Sequence, residues 1–161
     1  MTLKNDQAEI TLLADAMVDA LNSNQGSFDV RFTASRKFVP NLDLEDMDEV
    51  QVIVVPTGSI GERQSRKEIQ NTHEVQVGVM LRLVETITDK QHSQMLAFVQ
   101  QVVDFFTIDT TRHLTIDSDN SIDAAGTGVY EWDPIFVPEH IRQWNQFTAA
   151  PLFEFIVWRS N

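Results

Sequence analysis

"VVPTGSIGERQSRKEIQNTHEVQVGVMLRLV", residues 54–84, sets a glycine-bearing, charged stretch between two apolar strand patterns. Its second half alternates cleanly: Val75, Val77, Val79, Leu81 and Leu83 take one face, and Glu74, Gln76, Gly78, Met80 and Arg82 the other. Just upstream, "VQVIVVP" (residues 50–56) is apolar on both faces, the pattern of a strand inside a sheet rather than at its edge. Two such strands joined by a charged middle predict a long β-hairpin whose loop is residues 57–67. The functional question is whether that middle grips a ligand, performs chemistry or touches another protein.

Working outward, residues 6–22 predict an amphipathic helix, with Ile10, Leu13, Ala14, Met17, Val18 and Leu21 on one face. Asp6 and Glu9 form an acidic variant of the capping box at its start, and "NSNQGS" ends it. "FDVRFTASRKFVP" is extended up to Pro40, followed by the acidic connector "NLDLEDMDE". A second helix fits residues 89–106, capped by Thr88 and Gln91, with Leu96, Val99, Val103 and Phe106 as its buried stripe. "RHLTI" is a short strand candidate, "DSDNSIDAAGTG" reads as an exposed turn-rich loop, and "VPEHIRQWNQF" holds one helical turn near Pro138. "PLFEFIVWR" closes the chain as a strand with Phe153, Phe155 and Val157 on one face. This order predicts a single α+β domain over residues 1–161: an antiparallel or mixed β-sheet with a long β-hairpin, packed by two α-helices.

Composition narrows the function. With 161 residues, 42% hydrophobic and 22% charged, the chain has the make-up of one globular domain. It has no cysteine, which removes disulfides and thiolate chemistry, and no apolar run approaches the ~20 residues that span a bilayer. A soluble protein, or part of an assembly built inside a cell, is the expectation. The net charge of −12, from 24 acids and 12 bases, argues against a sequence-independent grip on nucleic acid. The charge is uneven. Arg31, Arg36, Lys37, Arg63, Arg66 and Lys67 are half of the 12 bases, whereas Asp104 to Glu139 holds eight acids and one base, Arg112. Such asymmetry is either solvated surface or one positive and one negative face that pair between copies.

Signatures of chemistry fail on spacing. Gly58 and Gly61 are three apart and Lys67 is not followed by Ser or Thr, so "GSIGERQSRKE" lacks phosphate-loop spacing. Asp117 and Asp119 start like a calcium loop, but Ile122 stands where glycine is required and Gly128 where a bidentate Glu is required. His73, His92, His113 and His140 lack metal-ligand spacing, and His92 is expected at the surface in a helix's first turn. Ser59 and Ser65 sit in no nucleophile elbow, and Glu45, Asp46, Asp48 and Glu49 crowd a polar connector. Phe32, Phe38, Trp132, Phe136, Trp144, Phe147, Phe153, Phe155 and Trp158 are core residues for the most part, with protein anchoring as their other role. No catalytic, cofactor or metal site is expected.

The run "FTASRKFVPNLDLEDMDEVQVIVVPTG", followed by "SRKEIQNTHEVQVGV", resembles the tail-terminator and head–tail joining proteins of long-tailed bacteriophages. The matching positions are Ala34, Arg36, Phe38 and Pro40, then Leu42, Leu44, Val50, Val52, Val54 and Pro56, then Ser65 and Arg66, with Phe147 and Thr148 ahead of the closing strand. Phe38 stands where the family more usually has tyrosine, and residues 107–135 fall outside the pattern. The resemblance implies a non-enzymatic virion protein, assembled in the host cytoplasm. It would form a hexameric ring at the head-proximal end of the tail tube, stop tube growth and join tail to head. Its partners would be further copies of itself, the tail-tube protein and a head-completion or connector protein, with DNA as transiting cargo and no membrane. Arg36, Lys37, Arg63, Arg66 and Lys67 would be its interface cations. A head-closure connector in the neck is the alternative, and a small nucleotide-binding or hydrolase domain using residues 56–68 is the alternative from another class.

Overall fold

In the structure, a computed structural model, residues 8–39, 49–63, 68–108, 113–117 and 122–160 are described. The first helix, α1 (Glu9–Ser23), buries Leu13, Ala14, Met17 and Leu21 completely, as the spacing predicts. Its N-cap is Ala8, which makes no side-chain capping bond, and Asp6 lies outside the described residues. Glu9, the other half of the expected acidic cap, is buried and turned toward the sheet.

The first strand, β1 (Phe32–Arg36), runs parallel to β2 (Val50–Arg63), with Phe32 opposite Val50 and Arg36 opposite Val54. β2 returns through residues 64–67, outside the described residues, into β3 (Glu68–Arg82). The hairpin is as long as the sequence implies, but its loop is shorter. Antiparallel register continues past a bulge at Pro56/Gly58 out to Arg63 opposite Ile69, so most of the expected 57–67 loop is strand. Polar residues there mislead because both faces of the distal β2 are exposed, which removes the alternation that marks a strand.

Helix α2 (Asp89–Thr107) begins with the Thr88–Gln91 capping box, both reciprocal bonds present at 3.2 and 3.1 Å. Its buried face is wider than the four-residue stripe: Met95, Phe98, Val99, Val102, Val103, Phe105 and Phe106 are inside, and Leu96 is half-buried. Strand β4 (His113–Asp117) is followed by β5 (Ile122–Glu131), where the sequence suggests an exposed loop. That expectation is corrected. Ile122 and Ala124 are fully buried and alternate with Asp123 and Ala125, a period of two disguised by small residues and glycine. Helix α3 (Pro138–Trp144) is a third helix beyond the two expected, short, with Pro138 at its first position. Strands β6 (Gln146–Ala149) and β7 (Leu152–Ser160) then lie end to end along β3.

The sheet is mixed, in the order β1-β2-β3-β7-β5-β4, with β6 beside β3. It curls around α1, which touches β1 and β2 near one end of the order and β4 at the other. The core lies in this curl. Val77, Val79 and Val99 share one cluster with Phe98, Phe106, Phe147, Phe153 and Phe155. The chain is thus an α+β protein with a long hairpin and a helix-packed sheet.

Candidate interaction surface

The distal hairpin is fastened to α1 from beneath. Glu9 Oε1 accepts hydrogen bonds from Asn71 Nδ2 at 2.8 Å and pairs with His73 Nε2 at 2.8 Å, in a site where Glu9 and His73 are both buried. Gly61 lies directly across the ladder from Asn71, and a Cβ there would stand 2.6 Å from Asn71 Oδ1. The glycine leaves room for the asparagine amide to reach Glu9. Gly61→Ala should therefore cost about 1–3 kcal/mol by breaking that buried contact. In an Asn71→Ala background the same substitution should cost far less, a coupling that chemical denaturation of the double-mutant cycle measures.

The expected interface cations do not gather at one spot. Arg36 closes β1, and its guanidinium pairs with Asp15 Oδ1 at 2.7 Å and stacks over Phe38, 4.6 Å from the ring centroid. It therefore ties β1 to α1 within the chain. The main-chain N–H of Lys37 donates to Val54 O at 3.1 Å, extending the parallel ladder by one bond. Arg63 ends β2, nine residues beyond Val54, so the two basic groups lie roughly 30 Å apart along one strand. Arg66 and Lys67 lie outside the described residues.

Sequence reading named Phe38 on this flank but missed Val39 and Ile60. Ile60 is 76% exposed, and Phe38 and Val39 are 62% and 69% exposed. Ile60 was hidden among glycines and charges, and no periodicity singles it out. A second exposed group, Val129 and Tyr130, borders a hollow shared with Glu74, Glu131 and Glu154. Glu74 and Glu154 stand directly opposite each other on neighbouring strands, an unfavourable like-charge pairing.

The alternative chemistries find little here. Gly58 and Gly61 are inside a strand, whereas a phosphate loop leads from strand into helix. One apolar cleft, of about 460 Å³, is lined by Val30, Val50, Leu81, Leu83, Met95 and Phe98, and its polar lining residues Asp29, Gln91 and Gln94 supply no cation for a phosphate. Asp117 belongs to β4 and Ile122 is buried in β5, an arrangement incompatible with a calcium loop; Asp119 lies outside the described residues. Among the described residues no three His, Asp or Glu side chains are grouped to hold a metal. Of the connector carboxylates, Glu45, Asp46 and Asp48 also lie outside them. His92, expected at the surface, is half-buried and packs edge-on against Phe136 and Phe147. No helix of the described residues is long and apolar enough to cross a membrane.

Fold and surface together define an α+β protein built on one curled, mixed sheet with an extended hairpin. No family model matches the chain, and no curated protein matches it.

Proposed function

We propose that this chain is a structural virion protein, a tail terminator that forms a ring at the head-proximal end of a phage tail tube. The observation that carries the reading is the hairpin. β2 runs nine residues past its last partner on β1, and that stretch exposes Ile60 between small residues at the rim of the sheet. A long strand edge bearing an exposed apolar residue is an aggregation hazard in a lone domain and is tolerated where assembly covers it. Arg63, Arg66 and Lys67 follow directly in sequence, and β4 and β5, at the far side of the sheet order, carry Asp117, Asp123 and Glu131.

In this role the protein is not an enzyme, and its partners are its own copies, the tube protein and the head-side connector. Six copies carry a charge of −72, six times the chain's −12. A lumen biased negative lets DNA slide through without adhering. Residues 57–67 act as an interaction arm, of which residues 57–63 are strand edge. Separate pull-downs with tail-tube protein and with portal-side protein test the reading. Retention by the tube protein is the expected outcome; retention by the portal-side protein alone would reassign the chain to head closure. Nucleotides and divalent metals should leave its melting temperature unchanged, whereas tight binding at a hundredfold excess over Kd would contribute about 2.7 kcal/mol.

A further inference from the structure

The two ends of the sheet are treated differently. The outer rim of β1 is closed by side-chain amides: Asn22 bonds both the N–H and C=O of Ala34, at 3.3 and 3.1 Å, and Gln25 donates to Phe32 O at 2.8 Å. Beyond Val54, by contrast, β2 has no strand on its outer side among the described residues. On β3, the N–H of Val77 points to Pro151, away from β2. Alternation along the ladder then turns even-numbered β3 residues toward β2, where their partners Gly58, Ile60 and Glu62 face them. The main-chain groups of Ser59, Gly61 and Arg63 are left at the outer rim. Carrying the same alternation across β7 and β5 leaves those of His113 and Thr115 facing outward from β4.

β2 and β4 also run in the same direction and end at the same row of the sheet. Arg63 is opposite Ile69, Ile69 opposite Arg159, Arg159 opposite Ile122 and Ile122 opposite Asp117. One row back, Glu62, Gln70, Trp158, Asp123 and Thr115 line up likewise.

We propose that the sheet continues from copy to copy, the free rim of β2 in one subunit pairing in parallel with the free rim of β4 in the next. The inference deepens the ring reading and rests on it. Keeping the rows level sets Thr115 beside Glu62 of the neighbour, Leu114 beside Gly61 and His113 beside Ile60. That register satisfies two independent conditions. In a parallel ladder a rim-facing residue is paired with one facing away, and Thr115 with Glu62 meets this. Faces also match: Leu114 is buried on the α1 side, while His113 and Thr115 are on the outer face with Ile60. Ile60 is then covered by His113 and by Trp158, whose ring lies 5.7 Å from the imidazole. Charge favours the same partner. The β2 end leads into Arg63, Arg66 and Lys67, while the β4 end lies in the segment with eight acids and one base. Joining opposite ends of one sheet is a head-to-tail contact, the type that forms a ring when its rotation closes and a filament when it does not.

Proline discriminates, because it removes one N–H and is tolerated only where that N–H is not bonded within the fold. His113→Pro and Thr115→Pro, each deleting a rim-facing donor that the register aims at Ser59 O and Gly61 O of the neighbour, should fold with near wild-type melting temperature yet lose the oligomer in sedimentation. Ile60→Pro, whose N–H faces β3, should lose stability even as a monomer. Hydrogen exchange on the wild-type protein gives a second reading that does not depend on variants folding. Amides of Gly61, His113 and Thr115 should be protected in the oligomer and exchange at least tenfold faster on dilution to monomer. Unprotected rims in an intact oligomer, unaltered assembly of both rim prolines, or a wild-type monomer at every concentration would overturn the proposal. Tube capping is scored in parallel. Rings that cap tubes with unprotected rims would refute the rim pairing alone, and protected rims in rings that ignore tubes would refute the terminator reading alone.

Discussion

Val79→Asp should abolish folding. Val79 is fully buried, opposite Val52 on one side and Ala149 on the other, at the junction where β2, β3 and β6 meet the helices. A carboxylate there has no cation within the apolar cluster, and its desolvation is expected to cost more than about 4 kcal/mol. Total stabilities of about 5–15 kcal/mol leave little after such a loss. The control is Thr72→Asp on the same strand, on the opposite face between Ile60 and Ile156, which should change stability by no more than about 1 kcal/mol. Thermal and urea unfolding of the pair read the register directly. A stable, assembling Val79→Asp protein would mean that the strand is slipped by one residue.

Reversing the basic end of the hairpin should have the opposite profile, intact folding with lost assembly. Arg63 closes β2, and Arg66 and Lys67 belong to the four-residue connection to β3. Each exposed pair such cations form is worth only ~0–1 kcal/mol and is screened by salt. A ring repeats the contact at every interface, so small terms accumulate in the assembled state and vanish in the monomer. The triple variant Arg63→Glu, Arg66→Glu and Lys67→Glu should keep the wild-type melting temperature and fail to cap tubes. Wild-type capping should also weaken above ~0.15 M salt, where the Debye length falls below about 8 Å. Normal capping by the triple variant at low salt would make these residues solvated charges without a role. Arg36 is left out of this variant because its pairing with Asp15 gives it a structural task.

The hairpin, both long helices and the closing strand were legible because each carries an unbroken period, of two in Val75–Val79 and Phe153–Val157, or of 3.6 in Leu13–Leu21. β5 was not, since Ala124, Ala125 and Gly126 carry too little apolar contrast to declare an alternation that burial later makes plain. The parallel pairing of β1 with β2 was equally hidden, because neither strand's side-chain pattern carries the direction in which it pairs. Of the interface cations, sequence located Arg63 at the hairpin end but had no means of seeing that Arg36 folds back onto α1. The Glu9–His73–Asn71 anchor joins residues more than sixty positions apart, and a helix N-terminal glutamate reads as a cap until its buried partners are known. Ile60 escaped for a simpler reason: an isolated apolar residue acquires meaning only when the rim it stands on is seen to be open.

The most direct test of the ring reading is negative-stain electron microscopy of the purified full chain, alone and mixed with polymerising tail-tube protein. Six-fold rings, and tubes that stop growing with a ring on one end, are the predicted result. A protein that stays monomeric at high concentration and leaves tube length unchanged would contradict it.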